Sequence, residues 1–122
     1  MRYVRIYADA MDASHFADID VEMAPSDFAP PAPSLNVSGF TPATQAGFVG
    51  LPKDWDGDWH PTPRRQFFAV MNGMLEIEVS DGETHRFAPG DVGLLGDTKG
   101  NGHRTLNLAA EETVVFIVQL PD

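Results

Sequence analysis

The stretch FFAVMNGMLEIEVSDGETHRFAPGDVGLL, residues 67 to 95, decides the fold. Phe67 to Met71 reads as one strand and Met74 to Val79 as the next, with Asn72-Gly73 between them as a two-residue hairpin turn. In the second strand Leu75, Ile77 and Val79 share one face and Glu76 and Glu78 the other. That alternation is the period of two that a pleated backbone imposes. Asp81-Gly82 is a second hairpin signal, and Thr84 to Phe87 is the returning strand. Pro89-Gly90-Asp91 turns the chain again before a short strand, Val92 to Leu95.

The same grammar extends both ways. Downstream, Gly96 to Gly102 is a glycine-rich loop, followed by strands over His103 to Leu108 and Thr113 to Leu120. The last is nearly continuously apolar, which predicts that both of its faces are covered. Upstream, Gln45 to Leu51 is a strand, as are Tyr3 to Tyr7 and Phe16 to Met23. Pro25 to Pro42 holds five prolines and cannot be a central strand, because proline donates nothing to a ladder. It reads as an extended arm that crosses the surface or pairs with a second subunit, or as a solvated linker. No segment of ten or more residues carries a helical period, and frequent Gly and Pro break the chain too often for long helices. Many short strands between such turns indicate a sandwich or barrel. Residues 44–122 form the barrel, and residues 1–43, the N-terminal strands and the arm, pack on it or on a partner, within one structural domain.

The remaining bounds are compositional. A chain of 122 residues is one domain by length. Eight Lys and Arg against eighteen Asp and Glu give a net charge of −10, the wrong sign for nucleic acid or for an anionic membrane surface. The absence of cysteine excludes disulfides, thiolate nucleophiles and iron–sulfur clusters. No apolar run reaches the roughly 20 residues of a membrane span, and the charged, strand-like N-terminus lacks a secretory core. A cytoplasmic protein is expected. Asp54 to Trp59 superficially suggests a calcium loop, but Trp59 stands where that loop needs Gly and Arg65 where it needs Glu. It reads as an acidic turn leading into the next strand, with Trp55 and Trp59 packed at the barrel mouth or in a subunit contact.

Two segments carry a family resemblance. His60, Thr62, Gln66 and Gly73 fall at the spacing of a motif whose pattern is G(X)5HXH(X)3-4E(X)6G. Gly100-Asn101-Gly102-His103 and Asn107 match the end of a second, G(X)5PXG(X)2H(X)3N. In these residues the chain resembles the cupins, over about residues 40 to 120. The resemblance implies an all-β, cupin-type double-stranded β-helix, or jelly-roll barrel. It also implies a site inside the barrel, where the family gathers three His and one Glu on a metal ion. Here those places are His60, Thr62, Gln66 and His103. Thr62 brings a hydroxyl in place of imidazole, and Gln66 brings an amide oxygen without the balancing charge. Two readings follow. In the first, His60, Thr62, Arg65, Gln66 and His103 anchor a small-molecule ligand in a polar pocket, with Arg65 able to hold a carboxylate. In the second, His60, Gln66 and His103 bind one divalent ion (Fe, Mn, Ni, Zn or Cu) in a dioxygenase or isomerase. A regulatory module acting through its dimer surface is a third possibility. Phe68, Val70 and Thr105 share the inward parity of Gln66 and His103, whereas Arg104 points away. His15 and His85, outside the motifs, read as surface histidines, and Arg64 and Arg65 as partners of nearby carboxylates. A homodimer is expected from the apolar last strand and the proline-rich arm.

Overall fold

The computed structural model describes residues 1–122 and contains strands but no helix. In chain order they are β1 (Arg2–Ala8), β2 (Ser14–Asp20), β3 (Met23–Ser26), β4 (Leu35–Ser38), β5 (Gln45–Leu51) and β6 (Asp56–His60). Then come β7 (Gln66–Val70), β8 (Leu75–Val79), β9 (Thr84–Phe87), β10 (Val92–Gly96), β11 (His103–Asn107) and β12 (Thr113–Gln119). A six-stranded sheet runs β2-β1-β10-β7-β12-β5 and faces a four-stranded sheet, β6-β11-β8-β9. No helix is long and apolar enough to cross a membrane.

Period-two burial builds the core. Phe68 and Val70 from β7 and Val115 from β12 turn inward from the large sheet. Leu75, Ile77 and Val79 from β8 and Phe87 from β9 meet them from the small one. Their outward neighbours Glu76 and Glu78 stay part-exposed, as alternation requires. Gly93 is needed on β10, because the Phe68 ring lies where its side chain would be.

Four sequence expectations change. Asn72-Gly73 does not close a hairpin: β7 pairs with β10 and β12, whereas β8 pairs with β9 and β11. The turn carries the chain from one sheet to the other. It is tied to β12 by Asn72, whose Nδ2 donates to Glu112 O and whose Oδ1 accepts from Val114 N, both at 3.0 Å. Gly73 has φ +80°, and Thr113 Oγ1 occupies the place of its missing side chain. By contrast Asp81-Gly82 does join a β8–β9 hairpin.

The acidic turn is in part a strand. Residues Asp56–His60 pair with β11, through a register shift between Arg104 and Leu106. Arg104 clamps Asp56 with Nε at 3.1 Å and Nη2 at 2.6 Å, which offsets the acidic run. The proline-rich arm doubles back on itself. Met23–Ser26 and Leu35–Ser38 form a two-stranded sheet of their own, and Phe28 stacks on Phe40 at 5.8 Å. Pro25 is tolerated there because the ladder has only two strands and both are edges. The fourth change concerns β12. Its inner residues Thr113 and Val115 are buried, but Val114, Phe116 and Val118 on the other face are only half-buried. Its neighbour β5 is an edge strand exposed along nearly its whole length. The residues 1–43 divide: β1 and β2 belong to the large sheet, β1 lying parallel to β10, while residues 23–38 stand apart.

Candidate functional site

The two motif histidines do meet. His103 on β11 is the register partner of His60 on β6, and their ring centroids are 4.8 Å apart. The approach needs Gly102, whose φ is +72° and whose missing side chain would strike the His60 carbonyl. His60 Nδ1 donates to Asp58 O at 2.9 Å and is half-buried. His103 is 3% exposed.

The partner of His103 is a residue that the motif reading passed over. Asp97, fully buried at the end of β10, accepts from His103 Nδ1 at 2.6 Å through Oδ2. Its other oxygen, Oδ1, accepts the Thr62 hydroxyl at 2.7 Å, and Thr62 N donates to the Asp97 carbonyl at 3.0 Å. Thr62 is therefore a fastener of Asp97. With Nδ1 committed to the carboxylate, His103 keeps Nε2 free, the arrangement by which a carboxylate fixes an imidazole's tautomer and direction. Within the glycine-rich loop nothing in spacing singled out Asp97; only the crossing of β10 toward β11 brings it under the ring.

Gln66 goes elsewhere. It lies on the inner face of β7, opposite Gln119 of β12, which in turn lies opposite Gln45 of β5. Gln119 Nε2 donates to Gln66 Oε1 at 3.2 Å, and Gln45 Nε2 donates to Gln119 Oε1. These three amides line a cavity of about 340 Å³ with Pro63, Phe48, Val49 and Ile117, and neither motif histidine touches it. Gln45 and Gln119 were legible only as polar ends of otherwise apolar strands.

A second cavity, of about 330 Å³, occupies the space between the sheets. Its lining includes Leu51, Trp55, Phe68, Leu75, Ile77, Leu95 and Val115, and Thr105 supplies its one polar side chain. This cavity is therefore apolar, and the polar residues His60, Thr62 and His103 lie outside its lining. Phe68 and Thr105 have the inward parity expected of them. Val49 and Ile117 line both cavities, so the two adjoin.

Arg65 is half-buried, and its carbonyl accepts from Leu120 N at 3.0 Å; it lines neither chamber. Neither Arg64 nor Arg65 forms an ion pair, contrary to expectation. Arg104 points away from the site, as alternation required, and binds Asp56. His15 is more than a surface histidine. Its Nε2 meets Asp9 Oδ2 at 2.6 Å and its Nδ1 meets Asp81 Oδ2 at 2.8 Å, so two loops are pinned by one ring. The bond to Asp9 first, and that to Asp81 next, raise the His15 pKa above its ordinary 6.5. His85 packs against Phe87 at 4.6 Å.

Among solved structures, a cupin 2 conserved barrel domain protein from Salinispora arenicola is similar over 84% of this chain and 78% of its own, with 20% identity and a TM-score of 0.53. The cupin domain of Schizosaccharomyces pombe Cnp3 is similar over 90% and 74%, with 17% identity and a TM-score of 0.53. The chain has the cupin fold. A sugar phosphate isomerase of the cupin superfamily from Silicibacter pomeroyi is similar over 63% of this chain, with 20% identity and a TM-score of 0.50; this chain spans 50% of that one. No family model matches the sequence, and no curated protein matches it.

The metal that the cupin resemblance implies does not fit this donor set. The Thr62 hydroxyl is spent on Asp97, and the Gln66 oxygen accepts from Gln119 in the other chamber. Asp97, the carboxylate nearest the histidines, already accepts from His103 and Thr62. No group of three or more His, Asp or Glu side chains comes together to hold an ion. Two imidazoles with no carboxylate free to bind the ion directly leave most of a divalent charge uncompensated.

Proposed function

We propose that this cupin is a small-molecule-binding protein that takes the apolar body of a neutral ligand between its sheets. The observation that carries the reading is the inner chamber of about 330 Å³, with nine hydrophobic residues among its eleven. A chamber of that size and lining matches the lower range of small-molecule sites. The absence of any charged lining residue favours a neutral ligand, because a charge there would have no partner. Trp55 lies in the wall and reports occupancy. The test is titration with N-phenyl-1-naphthylamine, followed by probe emission and by tryptophan quenching. Saturable one-to-one binding is expected, weakened at least tenfold by Val49→Trp, which fills the junction of the chambers from a half-exposed position. Probe emission that rises linearly without saturation, or that Val49→Trp leaves unchanged, would refute the reading.

We further propose that the chain forms a homodimer, a reading supported by Phe28, Phe40 and Phe48, which are 55%, 78% and 68% exposed. Light scattering after size exclusion should return about twice the 13.3 kDa chain mass, and the mass of one chain would end the idea.

A further inference from the structure

We infer that the ladder of Gln45, Gln119 and Gln66 reads the polar head of the ligand, and that this head is a carboxamide or lactam. The inference rests on the apolar inner chamber as the seat of the ligand body.

Each amide in the ladder has a register partner on the neighbouring strand, so three adjacent strands place their side-chain amides in one row. The two hydrogen bonds run in one direction, from Gln45 to Gln119 to Gln66. Gln66, 7% exposed, is the end of the row nearest the inner chamber, two residues from Phe68 on the same face of β7. Its Nε2 makes no hydrogen bond within the protein, although no fully buried side-chain polar atom is left without a partner. That nitrogen is therefore reached from the cavity. Its oxygen accepts only from Gln119 and retains a second lone pair. Gln66 thus offers N–H and C=O side by side, the complement of an amide whose own N–H and C=O are one bond apart. Reversing the ladder as a set exchanges donor and acceptor along the row and leaves the same complement at Gln66.

Charge selects among head groups. No Lys, Arg, His, Asp or Glu lines either chamber. A carboxylate or phosphate head would enter without a cation, and an ammonium without an anion. A hydrocarbon head would leave the Gln66 donor unpaired on losing its water, a cost that disfavours purely apolar ligands. A neutral amide avoids both penalties. The walls beside the ladder, Phe48, Pro63 and Ile117, suit a flat group.

The test uses three ligands with one body, 2-naphthamide, 2-naphthoate and 2-methylnaphthalene, titrated into the full chain by calorimetry or tryptophan quenching. The amide should bind on the order of tenfold more tightly than the hydrocarbon, the worth of about one net hydrogen bond. The carboxylate should bind more weakly than the amide. In Gln66→Met, which keeps volume and removes the amide, the tenfold preference should vanish, because 2-naphthamide loses its partner and 2-methylnaphthalene no longer leaves a donor unpaired. Equal binding of amide and hydrocarbon by the unaltered protein overturns the ladder's role and leaves the apolar chamber standing. Preference for the carboxylate overturns the charge argument. Failure of all three to saturate overturns the chamber and the ladder together. The head-group series on the unaltered chain decides the matter even if Gln66→Met does not fold.

Discussion

Replacing Asp97 by Ala tests the network under His103 most directly. The carboxylate is fully buried and accepts from two donors, the Thr62 hydroxyl and His103 Nδ1, in residues 2% and 3% exposed. Both donors lose their acceptor in Asp97→Ala. An unsatisfied buried donor costs about 1–3 kcal/mol, so the two together cost about 2–6 kcal/mol, centred near 4. Against a total stability on the order of 5–15 kcal/mol that is a large fraction. Asp97→Asn keeps one acceptor oxygen and turns an amide N–H toward the other donor, so its cost is intermediate. Thr62→Val removes one donor and leaves the His103 bond intact, at about 1–2 kcal/mol. On the Asp97→Ala background, Thr62→Val should cost little more, because its partner is already gone; that non-additivity is the mark of a shared network. Urea unfolding followed by tryptophan emission, with the slope checked for constancy, gives each value. A loss below about 1 kcal/mol in Asp97→Ala, or strict additivity of the two changes, would refute the reasoning.

Three further outcomes follow from the same structure. The raised His15 pKa means that the folded state holds the proton more firmly than the unfolded chain, so its stabilisation is complete below pH 6.5 and is lost as pH rises through the folded value. The melting temperature should fall across that window and the fall should flatten in His15→Asn; superimposable pH profiles of the two proteins would dismiss the clamp. Asn107 donates to the carbonyls of Leu51, Pro52 and Glu111 and accepts from Ala109 N and Thr113 Oγ1. Asn107→Asp replaces the donors by an oxygen facing three carbonyls and should cost about 2–4 kcal/mol; chemical denaturation indistinguishable from the parent contradicts this. Gly102→Ala should destabilise far more than Gly82→Ala, since both have positive φ but only Gly102 has backbone atoms of His60 and Pro61 where the methyl group would sit. Equal melting temperatures for the two variants would show that the close approach of β6 to β11 is unimportant.

The sequence by itself determined nine of the twelve strands and the all-β fold. Alternation in Leu75 to Val79, the Asp81-Gly82 turn and the His60, His103 and Asn107 spacing are local facts, legible because side-chain direction along a strand has a fixed period. They placed His60 against His103 and turned Arg104 away. Tertiary structure decided which strands pair and which side chains meet. Asn72-Gly73 has a hairpin's composition, yet it bridges two sheets because β7 finds its partners in β10 and β12, far along the chain. Gln66 holds the acid's place in the motif, but its amide oxygen accepts from Gln119, 53 residues away by number, which in turn accepts from Gln45. Asp97 sat unremarked in a glycine-rich loop until the sheets closed over it and left His103 and Thr62 as its only hydrogen-bonding side chains. Hydrogen bonds and burial act across space with no regard for sequence separation. Spacing can therefore name the residues of a site, while only the packed sheets decide which of them share a chamber and what chemistry remains open.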